Sequence, residues 1–203
     1  MKKINEFGYR MMRPIVLVFL TLLMKPKAYN KNRLIKKGGY ILAGNHLSIY
    51  DGPLVGCISK RPIHFLAKKE LFDNKFLGPI VRFIGLISVD RKNKNPEAKE
   101  LALDTLKAER VVCVFPEGTC NRTNDKEILP FKYGAVSFAL KSGKPILPFA
   151  IVNKPRLFYY NTKIIFGEPY YVKNEDLDKE IKILEKKVVD LIHEGKSKSK
   201  RKA

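Results

Sequence analysis

The sequence predicts a single α/β domain with three layers, in which a mixed, largely parallel sheet is flanked by helices. Short runs rich in β-branched and apolar residues recur from residue 40 onward, and helical patterns separate them. The length of 203 residues and the 45% hydrophobic composition suit one domain with short appended segments. We expect a membrane-associating helical segment at 1–37, the domain at 38–195 and a disordered basic tail at 196–203.

The N-terminal segment combines an apolar run with basic flanks. Residues 14–24, PIVLVFLTLLM, are the most apolar stretch, but they are fewer than the roughly 20 residues that span a bilayer as a helix. No small-residue cleavage site follows, so we expect the segment to be retained. Lys and Arg flank the run on both sides, which favours a hydrophobic or amphipathic helix lying in the interface of an anionic membrane. A helix that covers the core and has a solvated basic flank is the alternative.

Six strands and three long helices are predicted after this segment. The strands are YILAG (40–44), IHFLA (63–67), LISV (86–89), VVCVF (111–115), ILPFAIV (146–152) and KIIFG (163–167). One helix runs from about 95 to 109 with Pro96 in its first turn, and another runs from 132 to 142. The last helix has apolar residues at 3–4 spacing from Leu177 onward, and we expect Gly195 to end it.

The net charge of +20 indicates an anionic partner. Nucleic acid and an anionic lipid surface both qualify. The basic residues, however, concentrate around the apolar run and in the tail, without an aromatic RNA-binding platform or a groove-binding helix. We therefore expect a membrane surface with anionic lipid as partner and no nucleic acid. The three cysteines form no C-x-x-C pair, which favours a reducing compartment and no metal site.

The stretch NHLSIYD (45–51) places His46 and Asp51 five positions apart, just after the first predicted strand. In a straight helix the two side chains would point about 140° apart, so they can meet only across a strand-to-helix turn. Asp51, Gly52 and Pro53 look like a helix start, which permits that turn. An aspartate bonded to one ring nitrogen leaves the other free to take a proton from a hydroxyl. By spacing alone, a helix cap beside a polar strand end is the alternative.

Two further strands also end in polar residues. GLISVDR (85–91) closes one strand, and PEGTCNR (116–122) follows VVCVF. Glu117 and Thr119 are suited to orienting a polar substrate group, and Arg122 to binding a phosphate. Because open α/β sheets bind ligands at the carboxyl ends of their strands, these turns predict one cleft that combines a base with phosphate-binding groups.

Four ordered motifs between about Tyr40 and Asn153 resemble those of the glycerolipid acyltransferases, specifically the bacterial 1-acyl-sn-glycerol-3-phosphate acyltransferases. The motifs are NHLSIYD, GLISVDR, FPEGT and ILPFAI. The resemblance implies that His46 is the general base and that Asp51 orients it. Together with the similar stretches FLAKKELF and LPFKYGA, it implies substrate-binding roles for Lys68, Lys69, Arg91, Glu117, Gly118, Thr119 and Lys132.

The reaction implied by the resemblance transfers a fatty acyl chain from an acyl thioester to the sn-2 hydroxyl of 1-acyl-sn-glycerol-3-phosphate. The donor is acyl-CoA or acyl carrier protein, and the product is phosphatidic acid, an intermediate of phospholipid biosynthesis. No acyl-enzyme is implied, and no metal or other cofactor is expected, because the thioester is already activated. The implied location is the cytoplasmic face of the cell membrane, as a peripheral or monotopic protein.

Cys120 departs from the family pattern, which usually has arginine after Glu-Gly-Thr. A thiol cannot make the bidentate, charged contact of a guanidinium. Either Arg122 takes over that contact, or the acceptor is a different one, such as glycerol-3-phosphate or another lysolipid. A cysteine hydrolase that pairs Cys120 with His46 or His64 is not expected, because nothing in the sequence places the thiol beside either imidazole.

Overall fold

The computed structural model describes residues 6–90, 96–123 and 126–200, and these residues contain one seven-stranded sheet. The strands are β1 (Lys27–Tyr29), β2 (Tyr40–Gly44), β3 (Ile63–Lys68), β4 (Ile87–Val89), β5 (Val111–Val114), β6 (Ile146–Val152) and β7 (Lys163–Phe166). Their order in the sheet is β1-β7-β6-β2-β5-β3-β4. Every neighbouring pair is parallel except β6 and β7, which are antiparallel. The predicted mixed, largely parallel sheet is therefore confirmed.

Helices cover both faces of this sheet and complete the three predicted layers. They are α1 (Phe7–Met24), α2 (Asp51–Ile58), α3 (Lys69–Asp73), α4 (Leu77–Phe83), α5 (Pro96–Lys107), α6 (Gly134–Ser142) and α7 (Leu177–Lys200). Alternate residues of each strand point to opposite faces, so β2 contributes Ile41 to one core and Leu42 to the other. Helices α5, α6 and α7 pack on the first core, and α1 and α2 pack on the second.

The six predicted strands are all present, and each boundary agrees to within one residue. Strand β1 was not predicted, because its three residues, Lys27–Tyr29, show no apolar run. It pairs in parallel with β7, where Ala28 is opposite Ile164, and it forms one edge of the sheet. The N-terminal segment 1–37 therefore contributes a strand to the domain as well as helix α1.

The prediction that Gly195 ends the last helix and precedes a disordered tail is wrong, because α7 continues to Lys200. Gly195 lies where the helix packs closely against the sheet. A Cβ at this position would lie 2.5 Å from Ile165 Cδ1 and 2.7 Å from Val152 Cγ2. The glycine therefore permits a close approach of helix and sheet and does not act as a stop signal. Beyond it, Lys198 forms an ion pair with Glu194; residues 201–203 lie outside the described part of the chain.

Helix α1 begins seven residues before the apolar run noted in the sequence. Its 18 residues make it the one helix in the described part of the chain that is long and apolar enough to cross a membrane by length and composition, a test that core helices and signal sequences also pass. Its inner face is anchored to α2, since Tyr9 Oη donates to Gly56 O over 2.9 Å and Arg13 Nη2 to Cys57 O over 2.7 Å. Its outer face exposes an apolar stripe consisting of Phe7, Met11, Ile15, Val18 and Leu22.

Candidate active site

The candidate site lies at the carboxyl ends of four adjacent strands, β6, β2, β5 and β3. The pairs β6–β2, β2–β5 and β5–β3 are all parallel, so the carboxyl ends of the four strands meet at one edge of the sheet. Chain segments that leave this edge carry His46 after β2, Glu117 after β5, and Lys68 at the end of β3. This is the edge at which α/β sheets bind their ligands.

His46 and Asp51 meet across the strand-to-helix turn. His46 Nδ1 lies 2.7 Å from Asp51 Oδ2, and the carboxylate is fully buried. The same oxygen accepts the backbone N–H groups of Leu47 and Ser48, over 2.6 and 2.8 Å. Asp51 does not cap its own helix, because the N-cap position of α2 is Tyr50 and these donors precede the helix. The turn is therefore built around the carboxylate, which holds the imidazole in one orientation.

The loop after β5 fixes the other sides of His46. The backbone N–H of His46 donates to Glu117 Oε1 over 2.7 Å, and its carbonyl accepts the N–H of Asn121 over 2.6 Å. The Phe115 ring stacks on the imidazole, with a centroid separation of 4.2 Å and an interplanar angle of 19°. Residues 115–121 thus surround His46 and allow its ring little freedom to turn.

Cys120 lies against the remaining ring nitrogen of His46, with its Sγ 3.2 Å from Nε2. Since Nδ1 faces a carboxylate, Nδ1 carries the ring proton and Nε2 accepts the thiol hydrogen. Nothing in the sequence placed a thiol beside this imidazole, whereas the structure does. The sequence could not show it, because the two residues are 74 positions apart and are brought together by the Asn121 backbone hydrogen bond to His46.

Nearby charges both raise and lower the pKa of the Cys120 thiol. Burial and the negative charge of Asp51 raise the pKa of Cys120, while the charges of Arg122, Lys68 and Lys154 lower it in part. The net direction is upward, so the group is a protonated thiol at neutral pH. The three cations mark the part of the site that attracts an anion, and Lys154 was missed although it follows the motif ILPFAI at the same edge of the sheet.

Glu117 uses both carboxylate oxygens for the backbone. In addition to the His46 N–H, it accepts the N–H of Leu129 at Oε2 over 2.9 Å. Burial raises its pKa, and the two backbone hydrogen bonds partly oppose that rise. Glu117 therefore joins the His46 turn to the segment before α6, a role that the sequence did not suggest. Its contact with substrate remains a prediction.

Gly118 and Lys132 form the outer part of the loop. Gly118 has a φ of +71°, and a Cβ at this position would lie 3.1 Å from Lys132 Nζ. The backbone conformation therefore favours glycine here, and the absence of a Cβ leaves room for the end of the Lys132 side chain. Thr119 is exposed next to it. Lys132 lies over the turn at Gly118, and its role as a secondary phosphate ligand remains a prediction.

Two other predicted residues are not brought to His46 by the described contacts. Lys69 opens α3, and its ammonium lies 3.7 Å from Asp90 Oδ2, at the end of β4. Arg91 belongs to 91–95, which is outside the described residues. His64, the other histidine weighed with Cys120, is fully buried on β3, where its Nδ1 donates to Gly85 O over 2.9 Å.

Asn45 was not singled out from the sequence, yet it connects two of the strand ends. Its amide donates to Ile151 O over 2.9 Å, and its oxygen accepts the Ile151 N–H over 2.7 Å. The side chain is buried and replaces a pair of backbone hydrogen bonds between β2 and β6. Its position directly before His46 in the motif NHLSIYD was the available signal.

Comparison with known proteins gives consistent matches. A family model described as Acyltransferase matches residues 25–152. The 1-acyl-sn-glycerol-3-phosphate acyltransferase of Bacillus subtilis (strain 168) is 35% identical over 159 residues, which are 76% of this chain and 78% of that protein. The protein of the same name from Borreliella burgdorferi is 30% identical, over 89% of this chain and 72% of its own length.

A solved structure shows the same fold. The crystal structure of the 1-acyl-sn-glycerophosphate acyltransferase PlsC from Thermotoga maritima superimposes with a TM-score of 0.66 at 24% sequence identity. The match covers 94% of this chain and 83% of that one. It therefore includes the sheet and the helices on both of its faces.

Proposed function

Because this chain belongs to the acyltransferase family, and within it to the 1-acyl-sn-glycerol-3-phosphate acyltransferases, we propose that it acylates the sn-2 hydroxyl of 1-acyl-sn-glycerol-3-phosphate. The donor is an acyl thioester, acyl-CoA or acyl carrier protein, and the product is phosphatidic acid. The observation that carries the proposal is the buried Asp51 carboxylate 2.7 Å from His46 Nδ1, which leaves Nε2 as the proton acceptor of the site.

In the proposed reaction His46 acts as a general base. Nε2 takes the proton of the acceptor hydroxyl as the oxygen attacks the thioester carbonyl, and Asp51 stabilises the imidazolium that forms. The tetrahedral intermediate then collapses, the C–S bond breaks, and the leaving thiolate takes the proton from His46. The incoming hydroxyl replaces the Cys120 thiol as the hydrogen-bond donor to Nε2. No metal or cofactor takes part, since the thioester is already activated.

The cations around the site are proposed to bind the phosphate of the acceptor. Arg122 and Lys68 act electrostatically on Cys120, as does Lys154, and Cys120 itself contacts the base. Arg122 supplies the planar, permanently charged group that the usual arginine provides at the position of Cys120. Lys132 completes this cluster from the side of Gly118. Arg91 is proposed as a further ligand on the motif resemblance alone.

A second candidate is transfer to another acceptor, such as glycerol-3-phosphate or a different lysolipid. The observation in its favour is Cys120, which places a small neutral group where relatives usually carry a guanidinium. A smaller group next to His46 leaves more room beside the base and less positive charge. The preferred acceptor headgroup is therefore the property in which this chain is most free to differ from its relatives.

The decisive experiment is an acyl-transfer assay with purified protein, both donor types and several acceptors. We expect lysophosphatidate to be acylated at the sn-2 position, and a chelator to leave the rate unchanged. Higher kcat/KM with glycerol-3-phosphate or another lysolipid would transfer the proposal to the second candidate. No transfer from either donor to any of these acceptors would contradict both.

We also propose that the protein works at the cytoplasmic face of the membrane, as a peripheral or monotopic protein. The exposed apolar stripe of α1 supports this, together with the net charge of +20, which favours anionic lipid. Replacing Ile15, which is 61% exposed, by Ser should reduce sedimentation with anionic vesicles. The matched control is Ile183→Ser, at a 42% exposed isoleucine on α7, across the sheet from α1. Equal binding by the two variants would contradict this orientation.

A further inference from the structure

Cys120 has the surroundings of a reactive thiol, although the proposed reaction does not use it as one. We propose that Cys120 is a covalent modification site at which a disulfide forms a mixed disulfide, and that this modification reversibly switches the transferase off. The modification site is inferred from the geometry of Cys120, His46 and Asp51. Its effect on acyl transfer rests on the proposed function of His46.

The first support is the arrangement of three side chains. Sγ lies 3.2 Å from His46 Nε2, and His46 Nδ1 lies 2.7 Å from the buried Asp51 carboxylate. A nucleophile within hydrogen-bond reach of a base, which is itself oriented by a third group, is the arrangement that activates cysteine in enzymes. Because burial and Asp51 keep the group protonated, His46 has to take the proton as the sulfur attacks.

The second support is the contrast with the other two cysteines. Cys120 is partly exposed, whereas Cys57 and Cys113 are buried in the core. Burial raises the pKa of Cys57 to about 11 and raises that of Cys113 well above its ordinary value. Cys57 has Arg13 nearby, whereas three cations, Arg122, Lys68 and Lys154, favour a developing thiolate at Cys120 and draw in an anionic disulfide such as oxidised glutathione.

The chemistry of the step is a thiol–disulfide exchange. The Cys120 proton passes to His46 Nε2, a bond forms between Sγ and one sulfur of the disulfide, and the disulfide bond breaks. The leaving thiolate takes the proton from His46 and departs as a thiol. A free thiol reverses the reaction, and the acyl donor releases such a thiol when it has given up its acyl chain. The enzyme's own by-product therefore belongs to the class of compound that restores activity.

The modified residue obstructs the base. A group attached to Sγ extends from a point 3.2 Å from Nε2, which is the space that the acceptor hydroxyl must enter. The modification also removes the thiol hydrogen, and it covers the cations on the same side of the cleft. Acyl transfer should therefore fall in proportion to the fraction of chains that carry the adduct.

The experiment follows the adduct and the activity in the same samples. The reduced full-length protein is incubated with oxidised glutathione, the adduct is located by intact mass and peptide mapping, and transfer to lysophosphatidate is measured before and after dithiothreitol. We expect one glutathione per chain, on Cys120, with a matching loss of transfer that the reductant restores. His46→Ala should slow adduct formation at least about tenfold, which is less than the full effect that a positioned general base has on a reaction rate.

Three variants complete the test. Cys57→Ala should be inactivated like the wild type, whereas the transfer that Cys120→Ala and Cys120→Ser retain should not change on treatment. Adducts on Cys57 or Cys113 in preference to Cys120 would overturn the inference, as would full modification of Cys120 without loss of transfer. Failure of the proposed function would look different: the untreated protein would not acylate lysophosphatidate, while the mass measurement would still report on Cys120.

Discussion

His46 and His64, the two histidines associated with the sheet, each have a carboxylate nearby, and they differ in their surroundings. His46 has Asp51 at Nδ1, 2.7 Å away, and its ring is partly exposed beside Cys120. His64 has the Gly85 carbonyl at Nδ1, and its Nε2 lies 3.6 Å from Glu6 Oε1, with the ring fully buried. Both tautomers are fixed by the group at Nδ1. What differs is the exposure of the ring, which is partial in His46 and absent in His64, where Glu6 at the start of α1 faces Nε2.

The difference teaches that the position along a strand separates the histidine proposed as the base from the structural one. His46 follows the end of β2, where the chain leaves the sheet, and His64 lies within β3 between the buried residues Ile63 and Phe65. Burial lowers the pKa of His64, which keeps this ring neutral in the folded protein. The following predictions separate the two roles, and they begin with the largest expected effect.

Replacing His46 by Ala should lower kcat for acyl transfer by about 10³-fold, within the range that a positioned general base contributes. The residue is partly exposed, so the fold should tolerate the change. The measurement is steady-state kinetics, with circular dichroism to verify folding. His64→Asn is the matched control, since an amide still donates to the Gly85 carbonyl. Comparable losses of kcat in the two variants would contradict the division of roles.

Replacing Asp51 by Asn should lower kcat by about 10²-fold, the lower end of what general-base catalysis contributes, since the neutral amide cannot stabilise the imidazolium and no longer fixes its tautomer. The effect should fall on kcat, with KM for the acceptor nearly unchanged, because Asp51 is buried behind the ring. Steady-state kinetics over a range of acceptor concentrations distinguishes the two constants. A change confined to KM would show that Asp51 acts on binding instead.

Replacing Glu117 by Gln should lower kcat by about tenfold. Gln retains one oxygen for two backbone donors, so either the His46 or the Leu129 N–H loses its acceptor, at a cost of about 1–3 kcal/mol in the free energy of unfolding. Urea unfolding and kinetics measure the two effects. Glu127→Gln is the control, because Glu127 forms surface ion pairs with Lys196 and His193, whose loss should cost little. Equal destabilisation by both changes would contradict the positioning role of Glu117.

The smallest effect concerns the pH dependence of stability that His64 confers. Because the folded-state pKa of His64 lies below its ordinary value of about 6.5, the unfolded chain binds the proton more readily. The contribution of His64 to stability is therefore complete above about pH 6.5 and is lost as the pH falls below that value. Urea midpoints should decline less steeply with acid in His64→Asn than in the wild type. Parallel declines would show that other groups set the acid sensitivity.

The sequence was sufficient for the parts of the fold that depend on local pattern. Runs such as YILAG and ILPFAIV are apolar throughout, as strands of a covered parallel sheet are, and their boundaries were read directly. The strand end followed by a helix start allowed His46 and Asp51 to meet, and the other motifs with the family resemblance, rather than the spacing, favoured this pairing over a helix cap. Three-dimensional contacts were not needed for either inference.

What the sequence could not supply depends on contacts between distant segments. Cys120 reaches His46 only because the loop after β5 folds back onto the turn after β2, which no local pattern encodes. Gly195 looked like a helix stop, and only the side chains of Ile165 and Val152 packed against it explain why a glycine stands inside α7. Glu117 lies in a motif that implied substrate binding. In the structure its two carboxylate oxygens accept the backbone N–H groups of His46 and Leu129.

The pairing of β1 with β7 joins the beginning of the described chain to a strand near its end. Ala28 lies opposite Ile164, and Leu23 at the end of α1 accepts the N–H of Phe158. During synthesis, β1 therefore leaves the ribosome more than a hundred residues before β7, the strand with which it pairs. Helix α1 meets its partners much sooner, since Leu20 and Met24 pack in the same core as Leu42 and Leu54. The sheet therefore stays open at its β1 edge until its last strand has been made.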